Sequence, residues 1–302
     1  MAPASPTISS PRGTLAGVIP CLIWSAAVLV MNKLSAPFGA LRAAGMELAI
    51  AGLALLVVAW FRSDLTRMMF HSWRCHAVCG TFWFLNLTLS WLAFAEVTSS
   101  GELLVAGLLN YLWPSLTLLF AIPILRKRAS WRVIPGLLAV LTGILLGKVA
   151  TAPAGATTDA LMHINAVAYT LALLDAIAWA LYSNFSRKLS DPRGASAVPM
   201  YMIVTSVVLL LLSESPNSAT TVSPSDWALL ISWSFGTAVA YLFWDVGMRF
   251  GNVVTISTMS MFIPLFSTII TAVVSGHGVS ALLIVSAALV VLGSQICRRG
   301  VA

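Results

Sequence analysis

Trp24 and the string Lys33-Leu34-Ser35-Ala36-Pro37 recur 155 residues later as Trp179 and Lys188-Leu189-Ser190-Asp191-Pro192. Displaced by 150, Gly101, Pro114 and Gly143 fall on Gly251, Pro264 and Gly293. The same order with a five-residue change in offset reads as a duplication, with units at 1–150 and 158–302. Both copies are set in uninterrupted apolar runs of about 20 residues, the length of a helix that spans a bilayer. Across the whole chain of 302 residues, 59% are hydrophobic and 9% charged, where soluble domains carry roughly a quarter charged. A water-soluble globule is excluded. The runs are continuous rather than alternating, which excludes an outer-membrane barrel and leaves closed helices as the way to satisfy the backbone in lipid. The fold class is all-α, polytopic.

Ten spans are expected, starting near Gly13, Gly39, His76, Leu103, Trp131, Ile164, Ala197, Trp227, Val253 and Val279. With the N-terminus inside, 14 of the 17 basic residues fall in inner segments, and only Lys33, Arg42 and Lys148 fall outside. The positive-inside rule then places both termini in the cytoplasm. It also accounts for the net charge of +7 without a nucleic-acid partner, whose surface would cluster Lys and Arg on one face. The apolar stretch Gly13 to Met31 resembles a signal peptide, but its twin in the second unit argues that it is retained. Five spans per unit forces the second copy to enter the membrane from the opposite side. Inverted repeats of this kind build secondary transporters, with substrate held at the repeat interface near the midplane.

The segment Ala95-Glu96-Val97-Thr98-Ser99-Ser100, followed by Asn110-Tyr111-Leu112-Trp113-Pro114, resembles the EamA-like drug/metabolite transporter superfamily and, within it, the YddG-type aromatic amino acid exporters. The resemblance implies a ten-helix exporter of amino acids, multi-pass in a bacterial inner membrane. A multidrug or cationic-metabolite efflux carrier of the same superfamily is the competing expectation.

Asp175 falls near the middle of the sixth span, with Trp179 and Tyr182 on the same helical face. An acid at bilayer depth should face a cavity. There it would hold an ammonium or a coupling proton beside two cation-attracting rings, or else lock helices together by hydrogen bonds. Trp83, Asn86 and Ser90 share a face with Cys79 on the third span, Asn110 and Trp113 on the fourth, and Trp24 opens a similar stripe on the first. Tyr241, Trp244 and Ser257 complete the candidate substrate-binding set, in which Asn86 or Asn110 would donate to a substrate carboxylate. Asp245 reads as an inner-gate residue or one meeting headgroups, water or Arg249; Glu47 reads as structural, with Arg42 as a candidate partner. Trp60, Trp73, Trp131 and Trp227 read as interfacial anchors. Pro114 and Pro264 are expected to bend the fourth and ninth spans, either as gates or as static packing kinks, with Gly101 and Gly251 marking tight turns that lead into them.

No Lys or Arg occupies the middle of a span, which disfavours phosphate-bearing substrates. His71, Cys75, His76 and Cys79 match no standard zinc spacing, and neither a metal nor another cofactor is expected. The sequence carries neither His-Glu-x-x-His nor a P-loop, so an enzyme is not expected and transport must run by facilitated diffusion or exchange. The expected partners are amino acids and the bilayer, with a monomer as the working unit.

Overall fold

A computed structural model describes residues 10–150, 165–191, 193–213, 221–274, 276 and 278–301, except the side chains of Met248, Arg249, Val253, Val254, Ser257 and Thr258. The boundary expected between the two units, Pro192 and the Ser257 side chain lie outside the described residues. The helices are α1 Pro11–Trp24, α2 Ala27–Phe38, α3 Ala40–Phe61, α4 Leu65–Met68, α5 Trp73–Ala95, α6 Ser100–Asn110 and α7 Trp113–Leu125. They continue as α8 Val133–Ala150, α9 Ala166–Leu189, α10 Val198–Leu212, α11 Pro224–Phe250, α12 Val253–Ser260, α13 Ile263–Val274 and α14 Ala281–Gly300. Among the described residues there is no strand, only one antiparallel bridge between Ala129 and Val301.

Seven segments are long and apolar enough to cross a bilayer: α3, α5, α6 with α7, α8, α9, α11 and α14. An eighth is the pair α1 and α2, bent by 44°, while α10 and α13 are shorter apolar helices. The chain is a polytopic helical membrane protein. Its surface agrees: along α8, Ile134, Leu138, Leu141, Leu145 and Val149 form a stripe in which each residue is more than half exposed. Such a stripe is stable only against lipid tails. Trp60, Trp73, Trp131 and Trp227 are exposed at helix ends, where amphipathic rings meet the headgroups.

Three apolar helical runs are interrupted, each for a local reason. Pro114 has no N–H for the carbonyl of Asn110, and Pro264 none for that of Ser260; α6 and α12 accordingly stop at those residues. Between α1 and α2, the Tyr111 hydroxyl donates to the carbonyl of Trp24 at 3.0 Å, a side chain inserted into the helical ladder at the bend. The expectation that Gly101 marks a tight turn is corrected: it lies within the first turn of α6. The turn is made by Ser99, whose hydroxyl accepts the N–H of Glu102 at 3.2 Å. Gly251 does cap α11, but with an extended backbone, φ −96°. Its glycine answers to proximity, since a Cβ there would lie 2.6 Å from the Gly247 carbonyl and 2.8 Å from that of Gly13.

In lipid, apolar burial does not drive helices together, and small residues that let backbones approach take over. α1 crosses α11 at Gly13, Gly17, Gly247 and Gly251, and α8 lies along α14 through Gly136, Gly143, Gly147 and Gly293. α9 packs on α5 and α7, and α10 on α3. Each of these pairings joins a helix before residue 151 to one after residue 164, so neither unit completes its packing alone.

A Cβ at Gly247 would meet the Gly17 backbone at 2.3 Å, whereas one at Gly17 would meet chiefly the end of the flexible Ile256 side chain. Gly247→Ala is therefore expected to cost about 1–3 kcal/mol and to lower the thermal midpoint in detergent more than Gly17→Ala. Equal midpoints for the two variants would show that the crossing is not close-packed.

Candidate functional site

The α9 stripe Ala168, Ala172, Ala176 and Ala180 is fully or almost fully buried, which seats this helix tightly among its neighbours and brings Asp175 inside with no exposed surface. One carboxyl oxygen accepts an amide N–H of Asn86 on α5, and the other accepts one from Asn110 at the end of α6. A buried acid has to find donors of this kind. Asn110 is the last helical residue of α6, four residues ahead of Pro114.

Trp179 lies one turn further along α9 and is the hub of the rings. Its centroid is 6.3 Å from Trp24, 6.1 Å from Trp83, 6.0 Å from Trp113, 5.4 Å from Tyr182 and 6.5 Å from Tyr241. Trp24 is 5.3 Å from both Tyr241 and Trp244, and Trp83 is 5.0 Å from Tyr241. These are edge-to-face and tilted contacts, the arrangements that the ring quadrupoles favour. All seven rings expected from the sequence thus meet in one cluster drawn from α1, α5, α7, α9 and α11.

Within the cluster is a cavity of about 100 Å³ whose lining includes Asp175, Asn86, Asn110 and Ser90 together with Trp24, Trp113, Trp179 and Tyr241. Residues beside all three helix breaks line it: Trp24 and Ala27, Tyr111, and Ile263. Trp83 and Tyr182 form a ring contact at 5.3 Å, and Tyr182 also borders a separate, more polar cavity of about 230 Å³ with His71, Tyr201 and Asp245. Gly101 and Gly251 do not line the central cavity, and Pro114 and Pro264 stand one residue beyond the lining residues Trp113 and Ile263.

Several placements add to the sequence reading. Asn86 and Asn110, expected to donate to a substrate carboxylate, each direct one N–H to Asp175. The Glu47 carboxyl accepts from the Trp91 indole at 3.1 Å and the Thr237 hydroxyl at 2.6 Å, tying α3, α5 and α11. Tyr111 was overlooked as a lining residue although it stands inside a quoted motif. Tyr201 on α10 stands 6.5 Å from Trp83 and is not among the residues expected from the sequence.

His71 has both ring nitrogens engaged: Nδ1 accepts the N–H of Asp191 at 2.9 Å, and Nε2 meets the carbonyl of Ala195 at 2.9 Å. That pair of partners fits the neutral ring with its proton on Nε2. Hydrogen bonds from Arg193 hold the Asp191 carboxyl well below the usual carboxylate range. This clamp on the loop is fully present above that range and is lost only as pH falls through the lowered value.

The model of the EamA-like transporter family matches residues 11–147 and again 166–297. The chain belongs to the EamA-like transporter family. It is 28% identical to the aromatic amino acid exporter YddG of Salmonella typhimurium (strain 14028s / SGSC 2262), over 96% of this chain and 98% of the relative. It is 27% identical to the protein of the same name from Escherichia coli (strain K12), over 96% of this chain and 99% of the relative. A solved crystal structure, 22% identical, shares the fold with a TM-score of 0.66 over 94% of this chain and 96% of its own. Family and relatives are transporters by name rather than catalysts, and helical multi-pass chains of bacteria reside in the inner membrane, the outer one being the place of barrels.

Replacing Asp175 by Leu leaves two buried amide donors without an acceptor, and about 1–3 kcal/mol of stability should be lost. Asp175→Asn keeps an acceptor oxygen and should lose less. Thermal unfolding in detergent reads both, and a Leu variant as stable as the native chain would show that the two bonds contribute nothing.

Proposed function

We propose that the protein exports amino acids, aromatic and other large neutral ones, from the cytoplasm, through the Asp175 cavity and by alternating access of two inverted five-helix units. The observation that carries this is the convergence of three helix breaks on a cavity containing a buried acid. Substrate sites of secondary transporters are formed by discontinuous helices in this way. The names of the relatives support export and the amino-acid class.

The ten spans are the pair α1 and α2, then α3, α5, the pair α6 and α7, α8, α9, α10, α11, the pair α12 and α13, and α14. Two observations support an inverted duplication into 1–150 and 158–302. The family model matches the chain twice, and helix partnerships exchange under the repeat relation. The first span packs on the eighth as the sixth packs on the third, and the second and seventh, like the fifth and tenth, pack on each other. Single residues follow the same rule. Gly136 abuts Gly293 and Cys297, and Ser286, its counterpart 150 residues on, abuts Gly143 and Gly147, theirs.

If the two units exchange conformations, one side of the cavity opens as the other closes. Pro114 and Pro264, beside related breaks, are the proposed bending points. Both termini lie in the cytoplasm by the distribution of Lys and Arg, and a single chain encloses the cavity, so a monomer suffices. Trp24, Trp83, Trp113, Trp179, Tyr182, Tyr241 and Trp244 would receive the side chain of the substrate, and Asp175 its ammonium.

In proteoliposomes preloaded with aromatic amino acids, labelled phenylalanine should enter by saturable counterflow. Asp175→Asn should lower that rate at least tenfold, about 1.4 kcal/mol or more, with the thermal midpoint little changed. Pro114→Ala should slow turnover while leaving the half-saturation concentration in place. Unsaturable flux without counterflow would replace the carrier by a channel, and an unaltered rate in the proline variant would remove the bending role.

A further inference from the structure

We propose that the central cavity takes aromatic primary amines, compounds that differ from aromatic amino acids in lacking the α-carboxylate, more tightly than the amino acids themselves. The inference rests on reading this cavity as the transport site, and it concerns the balance of charge within it. Among the described residues that line the cavity, Asp175 is the one acid, and no Lys, Arg or His accompanies it. The partners of Asp175 there, Asn86 and Asn110, are neutral donors. They stabilise the acid by hydrogen bonds but bring no positive charge. A buried acid in that condition either keeps a proton or is balanced by a cation from outside.

An arylalkylammonium supplies that cation and nothing else. Its ammonium balances Asp175, and its ring enters the wall of Trp24, Trp113 and Trp179, whose faces attract positive charge. An amino acid brings the same ammonium and ring together with a carboxylate. With Asp175 ionised, the occupied cavity then carries one net negative charge, and the second carboxylate meets no positive charge among the described lining residues. One N–H of each asparagine is already directed to Asp175. The Ser90 hydroxyl points to the Met31 sulfur at 3.6 Å, and the Tyr111 hydroxyl is donated to the Trp24 carbonyl at 3.0 Å. The indole faces that favour ammonium repel carboxylate. A charge moved from water into such surroundings without a partner is strongly disfavoured.

The test is a ligand series titrated calorimetrically into the purified full-length protein at pH 6, where tryptamine and the α-amines of the ester and amide are charged. Tryptamine, tryptophan methyl ester and tryptophanamide keep the ammonium and remove the carboxylate charge; each should bind at least tenfold more tightly than tryptophan. Indole-3-propionate, which keeps the carboxylate and lacks the ammonium, should not bind. In Asp175→Asn the affinity for tryptamine should fall at least tenfold and the gap between tryptamine and tryptophan should close. Because the ligand series is run on the native chain, its outcome does not depend on that variant folding.

Tryptophan binding as tightly as tryptamine, or more tightly, would overturn the proposal. So would an absence of amine binding in a preparation that performs phenylalanine counterflow, and in both cases the transport reading stands. Amine binding in a preparation that shows no counterflow for any load would keep the charge selectivity and remove transport. Failure of both measurements would remove both.

Discussion

A carboxyl group inside a membrane protein has to be surrounded by donors or it does not stay there, and the centre of this molecule is arranged around that requirement. Asp175 sits on α9 and draws one amide from α5 and another from the end of α6. Three helices are thereby fixed at one depth. Asn110 stands at the end of α6 beside the break before Pro114, and the small-residue stripe of α9 lets the acid come close to α5. Shape and polarity meet at this point: the break that disrupts the backbone ladder stands beside a donor that the acid accepts from.

Around this centre the forces differ from those of a soluble core. Apolar side chains gain nothing from leaving lipid for protein, so helix pairing depends on how closely backbones approach. Glycine and alanine therefore occupy the seams, and Leu, Ile and Val occupy the lipid face, as along α8. The rings are the exception. Trp24, Trp83, Trp113, Trp179, Tyr182, Tyr241 and Trp244 pack on one another rather than at the headgroups, and their edge-to-face contacts fill space that small residues would leave open. Glu47 repeats the logic of Asp175 on another scale, with Trp91 and Thr237 as its donors, and it joins α3 to α5 and α11.

The apolar runs were legible as spans because hydropathy is additive along the chain, and the rings of α9 because i, i+4 and i+7 share a face of any helix. Asn86 and Asn110 stood out because amides are rare at such depth. Their direction was not legible. An amide chooses its acceptor from what folding places within about 3 Å, and the nearest acceptor to both was an acid 65 and 89 residues away in sequence. Gly101 misled for a related reason: glycine next to a helix start reads as a turn until a serine cap two residues earlier is seen to make the turn itself. Tyr201 gave no sign, since its neighbour Trp83 lies on another helix.

By itself the sequence determined the class of the fold, the apolar runs and the chemical types that fall within them. These follow from local composition and from a period of 3.6 residues. The tertiary structure alone decided that Asp175 is shared by two asparagines, that the rings of five helices meet at Trp179, and that the breaks near residues 25, 111 and 261 open onto one cavity. Those are relations between segments far apart in the chain. They are set by how closely small-residue seams allow helices to approach, which no local pattern of residues encodes.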